Sequence, residues 1–174
     1  MTKPLILFLG NGILADDRIG LVVGETLKDK LRMEGNDVEI IEKTGFSLLD
    51  YLEGRDRVVI VDSMKTSRHE VGAVVGLSSE DFQSNAPLTS HYAGIPEALE
   101  LMKRVDLSPP KDLTILGIEA EDPYTISLSM CEKLQRQLPN IIQQVHDIIT
   151  TSAPENAQRN YCIYKKPITA SIEM

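Results

Sequence analysis

Five apolar runs punctuate the chain, and helical spacing fills most of what lies between them. Leu5-Ile-Leu-Phe-Leu9 is continuously apolar and closed by Gly10, the pattern of a strand buried on both faces. After Gly10-Asn-Gly12, the apolar positions Ile19, Val22, Val23, Leu27 and Leu31 recur at helical spacing. Val38-Glu-Ile-Ile41 reads as a second strand ended by Thr44-Gly45, and Leu48, Leu49 and Leu52 predict a short helix finished by Gly54. Val58-Val-Ile-Val61 is the third and most apolar strand, ending at Asp62. Val71 to Leu77 predicts a fourth, followed by a polar stretch from Ser78 to Ser90. A helix is expected from Pro96 to about Val105, with proline in its first turn. Leu113-Thr-Ile-Leu116, closed by Gly117, is a fifth strand. Residues 127 to about 149 predict a long amphipathic helix interrupted near Pro139. Strands alternating with helices indicate an α/β domain around a mainly parallel sheet, which binds ligands at the carboxyl ends of its strands.

Composition narrows the class. A chain of 174 residues with 42% hydrophobic content suits one domain with a real core. No run reaches the roughly 18 apolar residues of a membrane span, and Met1-Thr-Lys-Pro4 leads into a run without the cleavage pattern of a secretory signal. Cys131 and Cys162 make neither a disulfide framework nor a zinc cluster, so a cytoplasmic setting is expected. The formal charge is -8, with no Trp and no basic stripe, which argues against nucleic acid as a partner. Residues 1–150 hold 15 basic and 24 acidic groups against 3 and 2 in residues 151–174. The acidity thus belongs to a single folded domain over 1–150. Residues 151–174, with two prolines and no periodicity, are expected to form a mobile or loosely docked tail.

The densest candidate chemistry is Gly10-Asn11-Gly12-Ile13-Leu14-Ala15-Asp16-Asp17-Arg18-Ile19-Gly20, at the first strand-to-helix turn. Gly10-x-Gly12-x-x-Ala15 formally fits a dinucleotide fingerprint, but Asp16 and Asp17 would repel a pyrophosphate. The bland reading is a pair of helix-capping carboxylates; the functional one is a carboxylate offered to a cation. Asp62 is either a turn former or a second carboxylate level with that turn, and two such groups call for a proton or a cation between them. His91, in Thr89-Ser90-His91-Tyr92-Ala93-Gly94-Ile95-Pro96, is a surface residue or a ligand, and Ser90 a helix cap. Asp17, Asp62 and His91 together would suit nickel or zinc with coordination positions left open. His69 and His146 lack partner patterns and are expected in solvent, Cys131 in the core, and Cys162 as an idle thiol. A serine triad from Ser63 or Ser90 lacks the Gly-x-Ser-x-Gly elbow.

Four segments in order resemble one family, the endopeptidases that mature [NiFe]-hydrogenases. They are Gly10-Asn11 through Asp16-Asp17 to Gly20, the strand ending in Asp62, Ser90-His91-x-x-Gly94-Ile95-Pro96, and Gly117-Ile118-Glu119 with the helix that follows. The resemblance spans about residues 4–150. It implies a three-layer α/β/α fold with a twisted, mostly parallel five-stranded sheet. It also implies a single cut that removes the C-terminal extension of a hydrogenase large-subunit precursor, the partner of what would be a monomeric enzyme. Carried over by motif, Asp17, Asp62 and His91 match the metal-contacting positions, and Asp16 matches the first acidic position. Asp16 and Asp17 become the catalytic candidates, and Gly10, Asn11, Gly45 and Ser90 the substrate-binding ones. Two departures stand out. Arg18 occupies a position that is often glycine, and Ile40-Ile-Glu-Lys-Thr-Gly45 keeps only Gly45 of a loop that is commonly Asp-Gly-Gly-Thr-x-Gly.

On this reading nickel arrives inside the precursor, the enzyme tests for it, and a divalent metal would fit the same ligands in the free enzyme. Bound nickel or a carboxylate, with Asp16 as a candidate general base, would activate water or the scissile carbonyl. Two rivals make different predictions. A Rossmann-type nucleotide-binding domain would gain thermal stability from a dinucleotide, and a non-catalytic nickel-dependent chaperone would leave the precursor's length unchanged.

Overall fold

The structure is a computed structural model that describes residues 2–42, 45–77 and 95–151. Five strands, β1 (Leu5–Leu9), β2 (Asp37–Ile41), β3 (Arg57–Met64), β4 (Val74–Leu77) and β5 (Asp112–Glu119), form one sheet in the order β2-β1-β3-β5-β4. The first four in that order run parallel, and β4 joins the edge antiparallel to β5. Among the described residues, four helices flank them: α1 (Ile19–Met33), α2 (Leu49–Leu52), α3 (Ile95–Arg104) and α4 (Glu132–Thr151). The mostly parallel α/β architecture is the expected one.

Alternation along the central strands builds two cores, one on each face of the sheet. Leu5, Leu7, Leu9, Val58, Ile60, Leu113 and Ile115 face Leu48, Leu52, Ile95, Leu99 and Met102, from the side of α2 and α3. Ile6, Phe8, Val59, Val61, Leu116 and Ile118 face α1 and α4 through Val23, Leu27, Leu134, Ile141 and Val145. The register is fixed accordingly, with Leu5 opposite Val58 and Val58 opposite Leu113. On the surface, Thr2 and Lys111 both bond to Asp56, and the Lys111 ammonium holds the Asp56 carboxyl down to about 2.

Several boundaries differ from those expected. Strands β3 and β5 run on past their apolar stretches to Met64 and Glu119, so Asp62 and Ser63 lie inside β3, opposite Gly117 and Ile118. Polar residues there stay in the sheet because their side chains find hydrogen-bond partners. Strand β4 begins at Val74 rather than Val71, after a turn in which the Gly72 N–H donates to the Glu119 carbonyl. The last helix begins at Glu132 rather than 127, leaving Leu128 in the preceding loop and 77% exposed. Helix α4 also continues through Pro139 without interruption, because Leu134, Ile141, Val145 and Ile149 hold both halves against the sheet. His146, expected in solvent, is buried with Nε2 2.9 Å from a Glu34 carboxylate oxygen at the end of α1. The expected tail, beyond Thr151, lies outside the described residues, as do Ser90 and His91.

Candidate active site

The strand order reverses direction between β1 and β3, so the crevice at their carboxyl ends is the natural ligand position of this sheet. Phe8 pairs with Val61, which sets Asp62 level with Leu9 and beside the turn that follows. The start of α1 is pressed onto that crevice. A Cβ on Gly20 would lie 1.9 Å from the Leu9 carbonyl oxygen and 3.2 Å from that of Val61. Only glycine allows this approach. The contact carries the short 3₁₀ turn Asp16–Arg18 to the rim of the sheet.

The turn itself is held from several sides. Asn11 Oδ1 accepts the Ile13 N–H at 3.1 Å, and the Asn11 N–H donates to the Asp17 carbonyl at 3.3 Å. Gly10 is likewise packed against the Asp17 backbone. Residues 13–15 pair antiparallel with 125–127: the Ala15 N–H donates to the Thr125 carbonyl at 2.8 Å and the Ser127 N–H to the Ile13 carbonyl at 3.0 Å. Both departures from the family pattern meet at Gly12. Glu42 accepts the Gly12 N–H at 2.8 Å, and the Arg18 guanidinium donates to the Gly12 and Leu128 carbonyls. Gly45 is buried at the start of the turn Gly45–Leu48, which packs on α3.

Asp16 and Asp17 are adjacent and both buried, yet they face different partners. Asp16 Oδ2 accepts the N–H groups of Glu121 and Asp122 at 3.0 and 2.8 Å, and its Oδ1 accepts that of Cys131 at 2.6 Å. An ionised carboxylate offers about four acceptor positions, so most of this one is committed to a strap running from 121 to 131. The expectation of a general base at Asp16 meets that arrangement. The N-cap position of this turn is Ala15, which offers no side-chain cap. Within the strap, Asp122 receives the N–H groups of Tyr124 and Thr125, and its hydrogen bond with Thr125 lowers its pKa. Cys131 lies half-buried at the strap's end, and burial pushes its thiol up to about 11.

Asp17 turns toward the sheet, where Ser63 Oγ donates to its Oδ1. The N–H of the same serine donates to Asp62 Oδ1 at 2.7 Å. One fully buried residue therefore contacts both candidate carboxylates. Sequence reasoning weighed Ser63 only as a nucleophile. The overlooked signal was its place after Asp62, where continuing the strand turns it toward α1. Glu119 enters the sequence analysis only as part of the Gly117-Ile118-Glu119 motif. Buried at the end of β5, it accepts the Thr66 and Ser67 N–H groups, both at 2.8 Å, and fixes the loop leaving β3. Among the described residues, no three His, Cys, Asp or Glu side chains form a metal-holding group. No described helix is long and apolar enough to cross a membrane.

A family model described as hydrogenase maturation protease matches residues 21–148. Its match starts just past Gly20, so the 10–20 turn is described by its own geometry. Among curated proteins, the chain is 24% identical to the hydrogenase 2 maturation protease of Escherichia coli over 163 residues, covering 90% of this chain and 96% of that one. It is 29% identical to protein FrxA of Pyrococcus furiosus over 140 residues, 78% of this chain and 97% of that one. The fold is shared with the hydrogenase maturating endopeptidase HybD from E. coli, with a TM-score of 0.68, 22% identity, and 87% and 94% of the two chains covered. The [NiFe] hydrogenase maturation protease HybD from Thermococcus kodakarensis gives 0.63, 23%, 84% and 99%. The family match over most of the chain and this common fold lead to one conclusion: the chain belongs to the hydrogenase maturation protease family and is an endopeptidase.

Proposed function

We propose that this endopeptidase removes the C-terminal extension of a [NiFe]-hydrogenase large-subunit precursor after nickel has been inserted, and that it recognises the precursor-bound nickel directly. The observation that carries the reading is the pair of buried carboxylates, Asp17 and Asp62, gathered around Ser63 at the reversal point of the sheet. His91, outside the described residues, is the third proposed ligand. Two carboxylates and an imidazole form a borderline donor set suited to a first-row divalent ion such as nickel, with positions left for the ligands the precursor supplies. The same donors would accept a divalent metal in the free enzyme.

The precursor's nickel is thus part of the substrate, and its contact with Asp17, Asp62 and His91 would place the scissile peptide at the rim. Asp17 is also the catalytic candidate of the pair, able to accept a proton from an attacking water beside the metal. Asp16 then acts by holding the 121–131 strap in place, through the three amide bonds it accepts. Gly10 and Asn11 shape the turn that carries both aspartates, and with Gly45 and Ser90 they are the proposed substrate-binding residues. Asp17→Ala, Asp62→Ala and His91→Ala are each expected to slow processing of nickel-loaded precursor at least about 100-fold while the protein stays folded. Native-rate processing by Asp17→Ala or His91→Ala would overturn the metal-reading scheme.

A further inference from the structure

We infer that Ser63 is a positioning residue for precursor recognition, which sets the direction of the Asp17 carboxylate and couples it to Asp62. The inference rests on the proposed reading of Asp17 and Asp62 as nickel-facing groups. Residue 63 follows Asp62 on a strand that continues to Met64, so successive side chains point to opposite faces. Ser63 therefore faces the α1 side, where Asp17 arrives on the turn leading into α1. Its hydroxyl donates to Asp17 Oδ1 and its backbone N–H to Asp62 Oδ1, and all three residues are buried to 1% exposure or less.

Two neighbouring carboxylates repel one another in such a site. The hydroxyl and the amide each bring a donor to that negative charge, and the rigid strand fixes where both donors point. Groups bound to a metal's ligands commonly set ligand orientation, and losing one costs about 10–100-fold in affinity or activity. Ser63 stands in that relation to Asp17. Its hydroxyl is the replaceable half of the bridge, because the amide contact to Asp62 belongs to the backbone and survives substitution.

The test compares dissociation constants for nickel-loaded and nickel-free precursor in wild-type enzyme and in Ser63→Ala, Ser63→Thr and Asp17→Ala, with thermal unfolding recorded for each. Ser63→Ala is expected to bind nickel-loaded precursor about 10–100-fold more weakly and nickel-free precursor as wild type does. Ser63→Thr, which keeps the hydroxyl on a β-favouring side chain, is expected to recover most of the loss. A merely structural role would weaken both affinities together and would not respond to the hydroxyl. Unchanged preference for nickel-loaded precursor in a folded Ser63→Ala, with the preference abolished in Asp17→Ala, would overturn the inference and leave the proposed function standing. Preference retained in Asp17→Ala would overturn both.

Discussion

Two adjacent aspartates with the same chemistry and the same burial differ in the donors they meet. Asp16 gathers amide protons from Glu121, Asp122 and Cys131, more than a hundred residues along the chain, whereas Asp17 meets the hydroxyl of Ser63. Hydrogen bonds to a charged acceptor contribute about 1.5–3 kcal/mol each, and a buried group left without its partner costs similar amounts. Asp16→Asn puts an NH₂ group where one or two amide donors point. It is expected to lose about 2–4 kcal/mol of stability. Denaturant unfolding would read the loss, and hydrogen exchange would show it concentrated at the Asp122 and Cys131 amides. A variant as stable as wild type, with those amides equally protected, would remove the strap-anchoring role. Ser63 shows the complementary case, in which one small residue meets two larger ones, Asp17 through its hydroxyl and Asp62 through its backbone N–H.

Among the elements, β1, β3 and α1 make the site. Continuous apolar runs made the cores of β1, β3 and β5 readable, because a strand buried on both faces excludes polar residues over most of its length. Their last residues were not readable by that signal. Asp62, Ser63 and Glu119 remain in the ladder through hydrogen bonds that only the fold supplies. For the same reason the apolar rhythm starts the last described helix five residues too early. Residues 127–131 carry an apolar rhythm, but their backbone groups are taken by Asp16, Arg18 and local turns, and Ile126 and Leu128 stay exposed. The 10–20 turn was recognisable as a unit, whereas the division of roles within it depended on contacts too distant in sequence to infer. The seat of α1 on the sheet makes its own prediction. Gly20→Ala would force a methyl group to within 1.9 Å of the Leu9 carbonyl oxygen, lifting α1 from the switch point. The expected cost is at least about 3 kcal/mol, read as a drop in the unfolding midpoint. A well-tolerated alanine would show that this close approach does not position the turn.

At the scale of the whole molecule, the acidic charge acquires a location. The chain carries a formal charge of -8, and three of its carboxylates, Asp16, Asp17 and Asp62, are buried at one rim of the sheet. A rim of that kind suits a cation presented by another protein. The fold and family make the chain a hydrogenase maturation endopeptidase, and the geometry at the rim supports the proposal that it reads nickel before it cuts. The most direct measurement is the intact mass of a [NiFe]-hydrogenase large-subunit precursor after incubation with the purified protein, in its nickel-loaded and nickel-free forms. The account predicts loss of the C-terminal extension as one fragment from the nickel-loaded precursor and an unchanged mass for the nickel-free one. Equal cleavage of both forms, or cleavage of neither, would contradict it.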